Sequence, residues 1–225
     1  MRRIIVPLFL LLALPAAAQL TTPPSGDNQK ASVTQFIGPV EVTIDYSSPD
    51  VHSPSGDDRR GKIWGDLVPW GFIDEQFGTC TECPWRAGAN ENTVLTVSHD
   101  VEVEGKKLPA GSYGLFFAPG QNEWTLILSK NHTSWGNFTY DPAEDALRAT
   151  VRPQKSEYHE WLTYEFTDRQ PDRATAAPAG RDGRRLRAGS VRPQPVAGCA
   201  ARAPAGDRGV LRRHGVARGH RDGGV

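Results

Sequence analysis

The sequence between residues 31 and 170 alternates repeatedly between apolar and polar side chains with a period of two. The clearest stretch runs from Val40 to Tyr46, where every second residue is apolar and the residues between are Glu41, Thr43 and Asp45. The segments 147–152 and 162–166 repeat the pattern. Such alternation is typical of strands that bury one face in a core and expose the other, as in antiparallel sheets.

Other segments complete an all-β pattern. Further strands are predicted at 32–37, 94–97, 112–118 and 124–129, separated by Gly-Pro, Glu-Gly, Pro-Ala-Gly and Pro-Gly turns. One short helical turn is predicted where Asp141 can cap, Pro142 takes the first position and Glu144 follows. We therefore expect one domain over residues 31–170, an antiparallel β-sandwich or jelly roll.

The first 18 residues have the features of an export signal. Arg2 and Arg3 precede an apolar run that is too short to span a bilayer, and small residues end at Ala18. We expect cleavage near Ala18 and an exported product, periplasmic or secreted, in which residues 19–30 form a flexible linker. No later run is long and apolar enough for a transmembrane helix.

The formal net charge of zero averages unlike parts of the chain. The leader contributes +2, and the residues after Gln170 contribute +8 through 12 Arg and 4 Asp, which leaves −10 for residues 19–170. An acidic exported domain is a poor binder of nucleic acid or of anionic lipid, since both need a concentrated positive surface.

The composition changes near Gln170. The last 55 residues contain no Trp, Tyr, Phe, Lys, Glu, Ile or Asn. We expect residues 171–225 to be disordered, because they offer little apolar surface to bury. Two origins are open: a natural basic tail, or out-of-frame translation of a GC-rich gene, which we favour. In the second case Cys199 is incidental.

A dense polar cluster follows Pro84. It contains Trp85, Arg86, Asn90 and Glu91, directly before a predicted strand. In a structural interpretation, Arg86 pairs with Glu91 across a left-handed turn at Asn90. In a functional one, the three polar side chains face a concavity floored by indoles, and this would suit a sugar. The candidate indoles are Trp64, Trp85 and Trp135.

Several blocks of the sequence resemble, in order, an exported bacterial family known as domain of unknown function 2911. The blocks are Tyr46 to Pro49, Ile63 to Gly71, Trp85 to Glu91, Leu108 to Phe116, Asn122 to Thr125 and Trp135-Gly136. The resemblance implies an exported all-β domain and no particular activity. The chain departs from the family in an insertion at 72–84 and in lacking later strands with a Trp-Glu pair. The lack of those strands predicts an exposed sheet edge and a partly open core.

The insertion contains Cys80 and Cys83. A redox C-x-x-C motif needs a helix N-terminus, whereas Pro84 follows here and Glu82 would raise a thiolate pKa. We expect a small disulfide that closes the insertion; half of a metal site and a redox function are the alternatives. The histidines show no metal-ligand spacing, so we expect no metal and no cofactor.

These observations favour a non-catalytic ligand-binding or interaction module of the cell envelope, with a small molecule, a glycan or a peptide as ligand. The alternative is a glycosidase-like hydrolase in which Glu91 acts with a second carboxylate, Asp66 or Asp45. An uncovered sheet edge would permit dimerisation, but the sequence does not specify an oligomeric state.

Overall fold

The structure is a computed structural model. It describes residues 28–53, 55–155, 157–180, 184–186 and 189–194. The predicted leader, the cleavage point near Ala18 and Cys199 lie outside the described residues, as does the part of the predicted tail from 195 to 225. Within the described part of the chain, no helix is long and apolar enough to cross a membrane.

The described residues form β-strands and a single 3-10 turn. In chain order the strands are β1 (Gln29–Ile37), β2 (Val40–Ser48), β3 (Thr93–Val97), β4 (Val101–Val103), β5 (Lys106–Leu108), β6 (Gly111–Ala118), β7 (Trp124–Ser129), β8 (Asp145–Val151), β9 (Pro153–Lys155), β10 (Thr163–Gln170), β11 (Arg173–Gly180), β12 (Arg184–Leu186) and β13 (Ser190–Pro193). The 3-10 turn spans Pro142–Glu144. The all-β class and the short helical turn are confirmed.

The strands form two antiparallel sheets. The first has six strands in the order β1-β2-β3-β6-β7-β8. The second has seven, in the order β5-β4-β13-β11-β12-β9, with β10 pairing β11. All seven strands that the sequence predicts are present. The strands that it misses are short, as in β4 and β9, or lie beyond Gln170.

Period-two alternation sets which side chains enter the core. On β2, Val40, Val42, Ile44 and Tyr46 are buried, while Glu41 and Asp45 are exposed. Side chains of both sheets meet in one cluster. Ile44, Leu95, Val103, Leu115, Leu126, Leu128, Ala176 and Val191 enclose a void of about 10 Å³. This void has room for at most one water molecule, so the core is closed at this place.

The predicted start of the tail at residue 171 is too early. β11 pairs with β10, β12 and β13, and Ala174, Ala176 and Val191 are buried. Alanine needs little space and forms ladder hydrogen bonds like any other residue, so it can fill strand positions opposite large side chains, as Ala176 does opposite Phe166. Composition alone does not reveal this, because the apolar area contributed by each residue is small.

The predicted linker, residues 19–30, extends too far, because its last two residues belong to β1. β1 begins at Gln29, and Gln29 and Lys30 pair with Ser48 and Ser47 of β2. Both side chains are exposed, so they add little to the apolar pattern. The pairing with β2 orders the backbone nevertheless.

The disulfide between Cys80 and Cys83 is present, with Cα atoms 5.6 Å apart. The two residues are 4% and 1% exposed and pack with Phe116, Ile127 and Tyr140 in a second, smaller cluster. Cys83 also exchanges two backbone hydrogen bonds with Ile73, of 2.7 and 3.1 Å. The insertion is thus fixed against the first sheet, on the face opposite to the main core.

Candidate functional site

The predicted polar cluster lies in the connection that leads from the insertion into β3. It begins where Trp85 and Phe117 exchange two backbone hydrogen bonds of 2.7 and 2.9 Å. The backbone then turns through two left-handed residues, Ala87 with φ 56° and Asn90 with φ 60°. Asparagine tolerates this conformation, whereas alanine adopts it at some cost. The predicted left-handed turn at Asn90 is confirmed.

Hydrogen bonds from the core hold the strained residue in place. The carbonyl oxygen of Ala87 accepts from the hydroxyl of Tyr164 at 2.7 Å and from that of Thr93 at 3.2 Å. Tyr164 lies on β10 and Thr93 on β3, so one carbonyl group links the turn to both sheets. The turn that carries Arg86 and Asn90 is therefore a rigid part of the domain.

Arg86 folds back over this turn. Its Nη1 donates to the carbonyl oxygen of Asn90 at 3.2 Å, and its Nη2 donates to Oδ1 of Asn137 at 3.1 Å. The guanidinium also lies 4.9 Å from the ring centre of Phe138, a cation–π contact. Among the described residues, no carboxylate forms an ion pair with Arg86. Burial lowers the pKa of Arg86, and the nearby charge of Glu75 opposes this shift.

Asn137 connects Arg86 to Glu75. While its Oδ1 accepts from Arg86, its Nδ2 donates to Oε1 of Glu75 at 2.7 Å and to the carbonyl oxygen of Pro84 at 2.8 Å. The residue is buried, so these bonds satisfy both ends of its amide. One amide thus holds a guanidinium and a carboxylate near one another without letting them form an ion pair.

A cleft of about 280 Å³ opens beside these groups. Glu75, Arg86, Asn90 and Asn137 supply its polar lining. Trp85, Leu67, Pro69 and Ile73 supply its apolar lining. The lining has the character of a small-ligand site, with apolar walls and a few converging polar groups, and its volume is at the lower end for such sites.

Glu91 faces a different direction, and the predicted Arg86–Glu91 pair is wrong. Its Oε2 accepts from Nζ of Lys30 at 2.9 Å and from the Ser47 hydroxyl at 3.2 Å. The left-handed turn at Asn90 separates the two side chains, so that Arg86 meets Asn137 and Phe138 while Glu91 meets the β1–β2 hairpin. Although burial alone would raise the pKa of Glu91, hydrogen bonds, chiefly from Lys30, lower it overall.

A second cleft, of about 420 Å³, lies on the Glu91 side. Asp45 and His132 line it together with Lys30 and Glu91, whereas Asp66 does not. A glycosidase needs one carboxylic acid that keeps its proton near neutral pH. The lowered pKa of Glu91 is the opposite of what that role needs, and Lys30 already neutralises its charge.

The three predicted indoles do not form one platform. Trp64 packs edge to face against Trp85 at 5.6 Å and against Trp124 at 4.7 Å, and both Trp64 and Trp85 pack against the main core. Trp85 also borders the cleft of Arg86. Trp135 is 49% exposed and lines neither cleft. The flat indole floor that would suit a sugar is therefore not assembled.

Comparison with protein families matches residues 28–177, about two thirds of the chain, to the family described as "Protein of unknown function (DUF2911)". The chain belongs to the DUF2911 family. The suspected resemblance is thus confirmed. Comparison with curated proteins and with solved structures gives no match.

The DUF2911 match includes the whole Arg86 cleft and ends at Ala177, within β11. The family description states no activity, so only the geometry of the site points to a function. Among the described residues of this DUF2911 chain, no group of three or more His, Cys, Asp or Glu side chains is arranged to hold a metal ion.

Sequence reasoning missed Glu75 and Asn137, which complete the site. Asn137 lies 51 residues after Arg86, and Glu75 lies 62 residues before Asn137. No local spacing relates residues so far apart. The one available signal is the aromatic neighbourhood of each residue in the sequence. Glu75 lies between Phe72 and Phe77, and Asn137 directly precedes Phe138.

Proposed function

We propose that this protein is a non-catalytic binding module of the cell envelope, and that the cleft beside Arg86 holds a small ligand carrying a carboxylate. Peptide-derived and glycan-derived carboxylates are the two candidate classes. The export signal predicted from the sequence supports the envelope location, and the chemistry of the cleft supports the binding role.

The observation that carries the proposal is the half-buried Arg86 without a carboxylate partner among the described residues. A guanidinium has five N–H donors, and the two hydrogen bonds of Arg86 go to uncharged amide oxygens. A half-buried charge is costly unless an opposite charge accompanies it. A ligand carboxylate would supply that charge and accept the remaining donors in the paired geometry that arginine favours.

The setting of Arg86 supports binding further. Asn90, Asn137 and Phe138 fix the guanidinium before any ligand arrives, so little side-chain entropy is lost on binding. The rigid turn below it, tied to Tyr164 and Thr93, keeps the cleft in shape. Preorganisation of this kind is what separates a binding site from an ordinary surface arginine.

The hydrolase alternative has weaker support. Asp45 and Glu91 share the second cleft, but Glu91 is paired with Lys30 and its pKa is lowered. A Glu91→Gln variant should therefore leave ligand binding at Arg86 intact. Loss of a glycosidase activity in that variant would instead establish the alternative.

Isothermal titration calorimetry tests the proposal with two carboxylates and their uncharged counterparts. N-acetyl-leucine is compared with N-acetyl-leucine amide, and glucuronate with glucose. We expect one carboxylate to bind at least about tenfold more tightly than its uncharged counterpart, and Arg86→Met to abolish that binding.

The matched control is Arg152→Met. It removes an arginine that pairs with Glu123 beside a different cleft, and it should change nothing. Each variant must unfold cooperatively on heating to be informative. If no carboxylate, L-leucine included, binds to the unmodified protein, or if Arg86→Met binds as well as Arg152→Met, the proposal is wrong and Arg86 only locks the turn.

A further inference from the structure

The Arg86 cleft contains a second charged group, Glu75, that a simple carboxylate would not use. Glu75 lines the same cleft and is of opposite sign to Arg86. Its Oε1 accepts from Asn137, and this is the one hydrogen bond that its carboxylate makes to the described residues. The remaining lone pairs of its two oxygens are available to a donor in the cleft.

The side-chain amide of Asn137 spans the distance between Arg86 and Glu75. It presents an acceptor oxygen to Arg86 and a donor nitrogen to Glu75, and both atoms are bonded to a single carbon. Arg86 and Glu75 are therefore a donor and an acceptor that a short dipolar group can bridge. A ligand placed alongside Asn137 needs the same polarity, with its negative end at Arg86 and its positive end at Glu75.

We propose that the ligand is an α-amino acid zwitterion, whose carboxylate binds Arg86 and whose ammonium group binds Glu75. This inference rests on the proposed function and adds the second group that recognises the ligand. In an α-amino acid the carboxylate and the ammonium group are attached to one carbon, so an oxygen and the nitrogen are only one bond farther apart than the oxygen and nitrogen of the Asn137 amide. Few other small molecules carry opposite charges so near to each other.

The size and the apolar lining of the cleft indicate which amino acids would fit. A volume of about 280 Å³ is at the lower end for ligand sites and suits a single amino acid better than a peptide. Leu67, Pro69 and Ile73 belong, with Trp85, to the apolar part of the lining. They would cover an aliphatic side chain, so leucine is the natural probe. In a dipeptide a peptide unit separates the two charges, which then lie much farther apart than the two ends of the Asn137 amide.

Calorimetric titration of the purified protein with four probes tests the inference. L-leucine carries both charges, N-acetyl-leucine lacks the ammonium group, leucinol lacks the carboxylate, and glycyl-leucine separates the two charges by a peptide unit. We expect leucine to bind at least about tenfold more tightly than each of the other three, because each lacks or misplaces one charge-assisted hydrogen bond.

A Glu75→Gln variant tests whether Glu75 is the residue that binds the ammonium group. Glutamine keeps an oxygen that can accept from Asn137, so the internal network is preserved while the charge is lost. We expect the ratio of leucine affinity to N-acetyl-leucine affinity to fall to about one. In the control Glu123→Gln, which removes a carboxylate beside another cleft, the ratio should stay as in the unmodified protein.

The outcomes separate this inference from the proposed function. Equal binding of leucine and N-acetyl-leucine, both lost in Arg86→Met, would leave the carboxylate site intact and overturn the zwitterion. A leucine preference that survives in Glu75→Gln would overturn the role of Glu75. If none of the four probes binds and glucuronate does, the site takes glycan carboxylates and the inference is wrong. If no carboxylate binds at all, the proposed function fails as well.

Discussion

At the scale of single residues, Glu160 provides a pH-dependent contribution to stability. Hydrogen bonds from the Tyr158 hydroxyl and from the ring and backbone of His52 lower the pKa of Glu160 to about 2. The ordinary glutamate pKa is about 4.5. Because the folded-state pKa is the lower one, the ionised form stabilises the fold above about pH 4.5. This stabilisation is lost as the pH falls towards 2.

We therefore expect Glu160→Gln to lower the free energy of unfolding at pH 7 and to have a vanishing effect near pH 2. The side chain is partly exposed and solvent screens it, so the loss at pH 7 should be at most about 1 kcal/mol. Urea unfolding of the two proteins at several pH values measures this. Glu144→Gln is the control, since the Glu144 side chain accepts no hydrogen bond from the described residues. An effect of Glu160→Gln that is the same at pH 7 and pH 2 would contradict the assignment.

At the scale of elements, the connection between β2 and β3 shows what local sequence can and cannot predict. The strands on either side follow from alternation, because a half-buried strand must place every second side chain in the core. The left-handed turn at Asn90 follows from the chemistry of asparagine. The partners of Arg86 and Glu91 do not follow, because Asn137 and Lys30 come from distant parts of the chain and tertiary packing decides which side chains meet.

The same limit explains β11 and β13. Their residues are small or polar, and their stabilisation comes from ladder hydrogen bonds and from close packing against larger side chains of other strands. A method that counts apolar residues assigns such segments to a tail. The three-residue strands β4, β5, β9 and β12 are too short for any period to be read from them.

The disulfide is the element-scale feature that can be tested most directly. It closes a loop of only four residues, so it lowers the entropy of the unfolded chain only modestly and stabilises the fold by about 2 kcal/mol. We expect the double variant Cys80→Ala, Cys83→Ala to lose about this much in the free energy of unfolding and to keep its sheets. Urea unfolding and circular dichroism measure both quantities, in a Cys199→Ala background that prevents exchange with the third cysteine. Cys80 and Cys83 are almost fully buried, so we expect their disulfide to be purely structural. A thiol–disulfide exchange activity that the unmodified protein shows and the double variant lacks would contradict this role.

At the scale of the whole molecule, the position of the domain boundary decides whether the fold is complete. β11 joins β10 to β12 and β13, so it is an inner strand of the second sheet. Deleting an inner strand uncovers the core side chains below it and leaves rows of backbone groups without partners, and small domains have only about 5 to 15 kcal/mol of stability to lose. A chain that ends at Gln170 should therefore not unfold cooperatively. A chain that ends at Gln194 should unfold with the same midpoint as the full chain, because the residues beyond it include no aromatic side chain that could extend the core.

Thermal unfolding of the two shortened chains, followed by near-ultraviolet circular dichroism of the buried Trp124 and Tyr164, distinguishes the two boundaries. A cooperative transition in the chain ending at Gln170 would mean that the first sheet and β10 form a stable unit without β11 to β13. The pairing of β11 would then be an addition to a finished domain rather than a part of it. Loss of the transition in that chain alone would place the end of the folded domain between Gln170 and Gln194. The position of the Tyr164 hydroxyl, which donates to the Ala87 carbonyl in the Arg86 turn, would then depend on the pairing of β10 with β11.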